Sequence, residues 1–363
     1  MKKTTKKIRV AVLFGGKSAE HEVSLLSAKS VVENLDKNIY DVMLIGIDKQ
    51  GRFLLNENSQ YLLNAEDPKQ ISLQTSDVEL SVIPGQQSGQ LTSQKKSIGA
   101  VDVVIPMLHG PYGEDGSMQG LLTLMNVPFV GADVLGSAVS MDKDVMKRLL
   151  RDAGIAIANF VVARKGEKIS FQKIKKVLGL PLFVKPANLG SSVGVSKVDN
   201  EKEFARAVAD AFSYDTKIII EDAIVGDELY VSVLGNDNPL ASVPGKLITD
   251  HQFYDYDAKY IDEIQMEIPA KVTKRMTKLL QETAINAYKA LCCSGMARVD
   301  MFLTKEGKIY LCEINTIPGF TSHSWYPKLW EASGIEFTKL LDKLIRLAIE
   351  RHDDKQLLKT SRA

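Results

Sequence analysis

Residues 297–327 read ARVDMFLTKEGKIYLCEINTIPGFTSHSWYP and predict two short β-strands around a tight turn. In the first strand, apolar residues alternate with Arg298 and Asp300, and in the second strand Glu313 and Asn315 lie two positions apart. Because alternate side chains of a strand point to the same face, each strand presents one polar pair. We therefore expect a polar face on this hairpin, and we expect the functional site of the protein to be built around it.

The length of the turn decides whether these polar side chains meet. A two-residue turn at 306–307 pairs Asp300 with Glu313, whereas a three-residue turn would break this register. Two facing carboxylates repel each other, and a divalent cation between them removes the repulsion. Carboxylate and amide oxygens are the ligands that Mg²⁺ prefers, usually together with substrate phosphates. A solvated polar face on an edge hairpin explains the pairing equally well. The glycine- and hydroxyl-rich segment 315–324 offers N–H groups to an anionic ligand and favours the metal site.

The composition is that of a globular protein long enough for two or three domains, with 363 residues, 45% hydrophobic and 25% charged. Lysine and arginine number 46 against 45 aspartates and glutamates, so we expect no nucleic-acid partner. No apolar run has the length of a membrane span, and Arg9 interrupts the run after the N-terminal lysines, so we expect neither a membrane segment nor a signal peptide. Cysteines at 292, 293 and 312 show no disulfide or metal spacing, which indicates a cytoplasmic protein. Cys312 alternates with Glu313 and is expected on the apolar side.

The order of predicted elements divides the chain into three units. A buried strand at 8–14, a glycine turn and a helix form the opening unit of a parallel α/β sheet. We expect a first domain over residues 1–140, a central lobe over 141–226 and a C-terminal lobe over 227–363 that holds the hairpin. One helix is predicted over 137–153, between the first two units.

Several loops carry residues suited to a phosphorylated or amino-acid ligand. Lys185 ends a strand and precedes a loop with two glycines and two serines, 190–194, whose N–H groups and hydroxyls can bind phosphate. The loop lacks the Walker A pattern, and an ordinary flexible hairpin explains it as well. Glu221 ends another strand, where it can bind adenine or ribose or remain a surface carboxylate. Glu22 and His109 follow first-domain strands at their carboxyl ends, where a carboxylate suits an ammonium group.

In combination and in this order, the motifs resemble the D-alanine–D-alanine ligase family. The matching segments are His21-Glu-Val-Ser24, His109-Gly110 with Gly113-Glu-Asp-Gly116, Ser140-Met-Asp-Lys143, Lys185-Pro186 with Gly190-Ser-Ser-Val-Gly194, Tyr254-Asp-Tyr-Asp-Ala-Lys-Tyr260, Arg298-Val-Asp300, Glu313-Ile-Asn-Thr316, Pro318-Gly319 and Ser322-His-Ser324. The resemblance extends from about residue 8 to the last helix. It implies an ATP-grasp fold of α/β and α+β class, with an N-terminal parallel-sheet α/β domain and two α+β lobes that clamp ATP.

The resemblance also implies a reaction. ATP phosphorylates the carboxylate of one D-alanine, and the amine of a second D-alanine attacks the acyl phosphate. The products are D-alanyl-D-alanine, ADP and phosphate, for peptidoglycan precursor synthesis. The cofactors would be ATP and two Mg²⁺ or Mn²⁺ ions, and a cytoplasmic homodimer without nucleic-acid or membrane partners is expected. A D-alanine–D-lactate ligase or a non-catalytic nucleotide-binding protein would share many motifs, but binding alone needs neither Arg298 nor Glu22.

Residue roles follow from the resemblance by position. The nucleotide site would comprise Lys143, Lys185, Ser192, Glu221, Asp222, Ala223, Ile224, Glu228 and Lys259. The metal ligands would be Asp300, Glu313 and Asn315, and the oxyanion of the tetrahedral intermediate would be bound by Arg298 and the Gly319 N–H. The substrate contacts would be Glu22 and His109 for the first D-alanine, and Ser324 and Trp325 for the second. The hydroxyl of Tyr260, in a loop with Lys259 that closes over the site, would join Ser191 and Glu22 in a hydrogen-bond network.

Tyr260 also bears on the choice of acceptor. The resemblance places a histidine here in related depsipeptide ligases, where a protonated imidazole repels an ammonium and favours a hydroxy acid. A phenol stays uncharged up to pH ~10 and imposes no such repulsion. We therefore expect dipeptide rather than depsipeptide as the product.

Overall fold

The computed structural model describes residues 6–248 and 265–361, apart from 57–60, 66, 68–69, 75, 77, 84–90 and 94–95. Lys259 and Tyr260 lie outside the described residues, so their places in the site stay predictions. In the part of the chain that is described, three sheets of four or more strands follow one another along the sequence, with two smaller sheets beside the first. No helix in that part is long and apolar enough to cross a membrane.

The elements are numbered in chain order. The strands are β1 (Ile8–Gly15), β2 (Tyr40–Ile47), β3 (Phe53–Asn56), β4 (Leu62–Leu63), β5 (Ser72–Leu73), β6 (Ser81–Val82), β7 (Leu91–Ser93), β8 (Lys96–Ser97), β9 (Val103–Met107), β10 (Phe160–Arg164), β11 (Leu182–Pro186), β12 (Ser196–Val198), β13 (Lys217–Asp222), β14 (Asp227–Gly235), β15 (Leu240–Ala241), β16 (Gly245–Ile248), β17 (Gln265–Glu267), β18 (Gly295–Leu303) and β19 (Ile309–Asn315). The helices are α1 (His21–Asn34), α2 (Ser117–Leu124), α3 (Val134–Met141), α4 (Lys143–Asp152), α5 (Phe171–Leu178), α6 (Glu201–Tyr214), α7 (Lys274–Ala290), α8 (Trp325–Ala332) and α9 (Phe337–Gln356).

The first sheet is covered on both faces, which explains why its strands are almost continuously apolar. Its order is β3-β2-β1-β9, with β1 parallel to β2 and β9 and with β3 antiparallel at the edge. Val10, Val12 and Phe14 pack on one face with α1 and the C-terminal helix α9, and Ala11 and Leu13 pack on the other with α2. The C-terminal helix therefore returns to the first sheet.

Two antiparallel sheets follow, and residues of both line one cleft. The central sheet, β10-β13-β11-β12, is covered on one face by α5 and α6 through residues such as Ile174 and Phe204. The C-terminal sheet, β17-β16-β14-β18-β19 with β15 beside β14, is covered by α4 and α7 through residues such as Met146 and Leu280. Each sheet has one face sealed by helices, so its polar residues point to the other face.

The turn of the β18–β19 hairpin has three residues, 305–307, and Gly307 takes the left-handed φ of +80° that such turns favour. The two-residue turn that we predicted is therefore wrong, and by itself the longer turn would offset the strands by one residue. A β-bulge between Asp300 and Met301 shifts the register back. Asp300 consequently pairs with Glu313, as predicted.

The bulge also changes the direction of Cys312. Leu311 and Ile314 lie three positions apart and both belong to the apolar core, which strict alternation forbids. The two residues between them, Cys312 and Glu313, both line the cleft. The expectation that Cys312 faces the apolar side is wrong, because an extra residue in a strand reverses the alternation beyond it.

The helix predicted over 137–153 is two helices, α3 and α4, which are separated at Asp142. The Asp142 carboxylate accepts hydrogen bonds of 3.1 Å from the N–H groups of Asp144 and Val145 and so caps α4. The break lets α4 begin with Lys143 at the wall of the cleft.

Candidate active site

A cavity of about 620 Å³ lies between the central and C-terminal sheets, a size typical of small-molecule sites. Most residues predicted for the nucleotide and the metal ions line it, namely Lys143, Lys185, Ser192, Glu221, Asp222, Ala223, Ile224, Glu228, Asp300 and Glu313. Phe183 and Phe302 add apolar walls. The fold thus brings residues that are far apart in the sequence into one cleft.

Strand alternation explains why Lys185 and Glu221 point into the cleft. Val184 of β11 and Ile220 of β13 pack under the helices of the central sheet. Their sequence neighbours therefore face the opposite side. The antiparallel register pairs Phe183 with Glu221, which places the side chain of Lys185 on the diagonal from that of Glu221.

Glu221 lies between two buried lysines, Lys185 and Lys147. One carboxylate oxygen binds the Lys185 ammonium, and the other lies 2.8 Å from Nζ of Lys147. Burial raises the pKa of Glu221, but the two lysines outweigh burial and lower the pKa to about 2. Burial lowers the pKa of Lys185, but the nearby Glu221, Cys312 and Glu313 raise it above its ordinary value. Glu221 and Lys185 are therefore both charged at neutral pH.

Lys143 and Lys147 reach the cleft from the same face of α4. Lys143 donates to the carbonyl oxygen of Leu189 at 2.5 Å, and its Nζ lies 3.8 Å from a carboxylate oxygen of Glu313. Burial lowers the pKa of Lys143, against the opposing effect of Glu313. Lys147 is absent from the predicted set, although a lysine four residues after Lys143 on a helix is the pattern that would reveal it.

On the facing sheet, Arg298 and Asp300 lie on the face opposite the core because Val299 and Met301 fill it, and Asp300 lines the cleft. Asp300 forms a bidentate ion pair with Arg298, with N–O distances of 2.7 and 2.6 Å. The side-chain amide of Asn315, which pairs with Arg298 across the hairpin, donates to Asp300 at 3.1 Å. The predicted polar face is therefore confirmed as a connected set of side chains.

Burial raises the pKa of Asp300 to about 6, with Arg298 opposing the rise and Glu313 and Glu228 adding to it. Mutually repelling carboxylates of this kind favour a cation between them. Two carboxylates and the Asn315 amide are oxygen donors that fit Mg²⁺ or Mn²⁺. Within the described ranges, no three His, Cys, Asp or Glu side chains cluster closely enough to hold a metal ion by themselves. Substrate phosphates would therefore have to complete the coordination.

Tyr230 of β14 supports this polar face and is absent from the predicted set. The centre of its ring lies 5.3 Å from the guanidinium carbon of Arg298 and 4.4 Å from the ring of Trp325, on which it stacks. The Tyr230 hydroxyl donates to Glu228 at 2.5 Å. The sequence could have indicated Tyr230, because it lies two positions after Glu228 and alternate side chains of a strand share one face.

The loop 190–194 has an unusual backbone. Ser191 and Ser192 have backbone φ values of +50° and +58°, which residues other than glycine rarely adopt. Gly194 follows with a φ of +68°. Ser192 lines the cleft, while the Ser191 hydroxyl donates to the carboxylate of Glu20. Backbone strain of this kind is typical of ligand-binding loops and disfavours an ordinary flexible hairpin.

Glu20, and not Glu22, is the carboxylate that meets this loop. Glu20 is buried, and a Cβ added to Gly110 or Gly190 would lie 2.6 or 3.2 Å from its Oε2. Glu22 lies partly exposed on α1 and binds Lys49 at 2.7 Å. The predicted contact between Glu22 and Ser191 is therefore wrong, because two residues along a helix turn a side chain by roughly 200°.

His109 and Ser324 lie at the loop that follows β19. Nδ1 of His109 donates to the carbonyl oxygen of Ile317 at 3.0 Å, and Nε2 lies 3.0 Å from the hydroxyl of Ser27. Burial lowers the pKa of His109, so the ring is neutral. A Cβ added to Gly319 would lie 2.8 Å from Oγ of Ser324, so these two predicted residues are neighbours.

Comparison with known proteins identifies relatives across nearly the whole chain. Two family models match, "D-ala D-ala ligase N-terminus" over residues 9–132 and "D-ala D-ala ligase C-terminus" over residues 149–346. The D-alanine–D-alanine ligase of Oceanobacillus iheyensis is 52% identical over 363 residues, which covers 98% of this chain and 99% of the relative. The D-alanine–D-alanine ligase A of Escherichia coli K12 is 52% identical over 361 residues, with the same coverage.

Solved structures agree with the sequence relatives. The D-alanine–D-alanine ligase of Coxiella burnetii superposes with a TM-score of 0.84 at 38% identity and covers 97% of each chain. The VanG D-Ala:D-Ser ligase of Enterococcus faecalis gives a TM-score of 0.84 at 39% identity and covers 94% of this chain and all of that one.

A parallel α/β sheet followed by two antiparallel sheets around a charged cleft defines an ATP-grasp enzyme, and the predicted fold class is confirmed. The chain belongs to the D-alanine–D-alanine ligase family. It is an ATP-dependent ligase, and the reaction of its family joins two D-alanines for peptidoglycan synthesis.

Proposed function

We propose that the cleft makes D-alanyl-D-alanine through a D-alanyl phosphate. The carboxylate of one D-alanine takes the γ-phosphoryl group of ATP, and the amine of the second then displaces phosphate. The observation that supports this most strongly is the meeting of buried Lys143, Lys147 and Lys185 with the hairpin carboxylates Asp300 and Glu313 in one cleft. Phosphoryl transfer depends on fixed charges of this kind around the moving group.

The nucleotide would lie between the central and C-terminal sheets. Lys143 and Lys185 would bind its phosphates together with Ser192 and the N–H groups of the loop 190–194. The adenine and ribose contacts would come from Glu221, the backbone of Asp222, Ala223 and Ile224, and Glu228. Lys259, which lies outside the described residues, would approach the phosphates from the loop that closes over the site.

Asp300, Glu313 and Asn315 would hold two Mg²⁺ or Mn²⁺ ions. Such ions neutralise the charge of the transferred phosphoryl group when they are bound. Arg298, on the polar face of the hairpin, would bind the oxyanion of the tetrahedral intermediate together with the Gly319 N–H. The ion pair between Arg298 and Asp300 favours the charged guanidinium and fixes its position on the polar face of the hairpin.

Glu20 would bind the ammonium group of the first D-alanine, in the place where we predicted Glu22. Its contact with Ser191 joins the first sheet's domain to the central lobe at this point. Ser324 and the Trp325 N–H would bind the carboxylate of the second D-alanine. Tyr260, outside the described residues, would close over the site and bond to Ser191 and Glu20.

Further parts of the proposal rest on the family. We propose a cytoplasmic homodimer with domains at 1–140, 141–226 and 227–363. The net charge of +1 supports the absence of a nucleic-acid partner.

Phosphate release tests the proposed function. The enzyme with ATP and D-alanine is expected to release one phosphate for each dipeptide, whereas L-alanine is expected to give none. D-Lactate and D-serine, offered as acceptors beside D-alanine, are expected to yield only minor products by mass spectrometry. Absence of D-alanine-dependent phosphate release would refute the proposal, and a dominant mixed product would assign a different acceptor.

The two glutamates at the start of α1 provide a matched test of the amino-acid site. Glu20→Gln removes a negative charge from the proposed ammonium contact and is expected to raise the KM for the first D-alanine by about 30-fold, the size of a lost charge-assisted hydrogen bond. Glu22→Gln removes the same charge on the exposed side and is expected to leave both KM values within twofold. If Glu22→Gln shows the larger effect in initial-rate kinetics, the assignment of Glu20 is wrong.

A further inference from the structure

The loop 316–320 links the polar hairpin to the second-substrate residues. It begins next to the proposed metal ligand Asn315 and contains Gly319, whose N–H is the proposed oxyanion donor. The loop belongs to the C-terminal sheet by sequence, since it continues β19. Its backbone, however, also makes hydrogen bonds to the first sheet's domain.

Side-chain burial shows that the loop is anchored at two points. Ile317 and Phe320 are 1% and 0% exposed, and both belong to the apolar cluster that contains Val10 and Phe14 of β1. Gly319, between the two anchors, remains partly exposed. The apolar cluster, to which the first domain and the C-terminal part both contribute, therefore anchors both sides of Gly319.

Hydrogen bonds from the first domain satisfy the backbone of the anchored residues. The Ile317 N–H donates to Oε1 of Glu114 at 3.1 Å, and the Ile317 carbonyl oxygen accepts from Nδ1 of His109 at 3.0 Å. The Phe320 N–H donates to the hydroxyl of Ser27 at 3.2 Å, and that hydroxyl is itself 3.0 Å from Nε2 of His109. Glu114, His109 and Ser27 thus form one connected clamp on the loop.

Glu114 is oriented for this contact. Its second oxygen, Oε2, accepts from the Gly110 N–H at 2.8 Å, so both oxygens of the carboxyl group serve as acceptors. It also borders a small cavity of about 20 Å³ together with Lys143, Glu313 and Asn315. The side chain therefore lies at the junction of the first domain, the phosphate lysines and the proposed metal ligands.

We propose that Glu114 is a positioning residue that, with His109 and Ser27, holds the loop 316–320 so that the acyl phosphate is attacked by the second D-alanine rather than by water. The proposal rests on the roles assigned above to Gly319 and Ser324. Attack by the amine of D-alanine on D-alanyl phosphate gives dipeptide and phosphate. Attack by water on the same carbonyl carbon gives D-alanine and phosphate, so ATP is consumed without a peptide bond.

Glu114→Gln tests the clamp because glutamine keeps the size of the side chain but places an NH2 group where one of the two oxygens of Glu114 faces an N–H group. Displacement of reacting groups by about 1 Å costs on the order of a hundredfold in rate, so kcat is expected to fall about 10- to 100-fold. The KM for ATP is expected to stay within twofold. The ratio of phosphate to dipeptide is expected to rise above one, a change that a general loss of stability would not cause.

Ser27→Ala is the second variant, since it removes the buried hydroxyl that accepts from the Phe320 N–H and keeps only the Cβ methyl group. It is expected to raise the same ratio, and it decides the question if Glu114→Gln fails to fold by circular dichroism. Asp115→Asn is the matched control, because the Asp115 carboxylate accepts from the N–H groups of its sequence neighbours Tyr112 and Ser117 and not, within the described residues, from the loop 316–320. It is expected to keep the native kcat and a ratio of one.

The outcomes separate this inference from the proposed roles of the loop. A ratio of one and a native kcat in both Glu114→Gln and Ser27→Ala would overturn the clamp, as would an equal effect of Asp115→Asn. Ser324→Ala examines the roles on which the clamp rests, through the KM of the second D-alanine. If Ser324→Ala raises that KM while Glu114→Gln and Ser27→Ala keep the native kcat and a ratio of one, only the clamp is refuted. If Ser324→Ala leaves that KM unchanged, the proposed role of Ser324 is refuted.

Discussion

Glu313→Gln is expected to lower kcat by about a thousandfold or more, because it removes several kcal/mol of charge stabilisation from the phosphoryl-transfer step. Glutamine has nearly the same size and shape, and the Glu313 side chain is 23% exposed, so core packing does not depend on its charge. The variant is expected to fold and to need more Mg²⁺ for its residual rate. Steady-state kcat at saturating ATP and D-alanine, measured over a range of Mg²⁺ concentrations, gives both quantities.

Glu306→Gln is the control for this experiment. Glu306 lies in the exposed turn of the same hairpin, so the variant changes the same charge on the same element away from the cleft. It is expected to keep the native kcat. A native kcat in Glu313→Gln at ordinary Mg²⁺ concentrations would remove Glu313 from the metal site.

Lys185→Ala is expected to raise the KM for ATP by about 150-fold, the effect of about 3 kcal/mol from loss of one partner in a buried charge pair. The KM for D-alanine is expected to change much less, because the proposed partner of Lys185 is a phosphate. Glu221 keeps its 2.8 Å contact with Lys147, so the carboxylate does not become an unpaired buried charge. The fold is therefore expected to survive, which thermal unfolding will show.

Lys173→Ala serves as the comparison for Lys185→Ala. Lys173 is exposed on α5 of the same lobe and is expected to have no effect on either KM. Initial rates with ATP and D-alanine varied in turn separate the two affinities. A larger change in the KM for D-alanine than for ATP would place the loop 190–194 in the amino-acid site.

The hairpin shows how far local patterns predict a site. Alternation along β18 and β19 identified the facing Asp300 and Glu313, and the structure confirms this pair. The prediction assumed a two-residue turn, whereas the hairpin has a three-residue turn and a β-bulge. The bulge offsets the register shift that the third turn residue causes, so the predicted pairing still holds. The prediction for Cys312 was wrong because the bulge turns this residue from the core into the cleft.

Glu20 and Glu22 show what local sequence patterns do not predict. Both are acidic residues after the same glycine turn, and nothing in their spacing states which one meets the loop 190–194. The contact of Glu20 with Ser191 joins residues 171 positions apart in the sequence. Lys147 is an intermediate case, since helical spacing from Lys143 puts it on the right face but does not reveal Glu221 as its partner.

The sequence by itself determined the order of the three units, the polar faces of the strands and the family, because each depends on residue types and short-range spacing. Only the tertiary structure decided which polar faces meet. It placed Glu221 between Lys147 and Lys185, selected Glu20 over Glu22, and connected the loop 316–320 to Glu114 and Ser27. The physical reason is that periodicity reports the face a side chain takes within its own helix or strand. The partner on that face depends on how sheets and loops distant in sequence pack together.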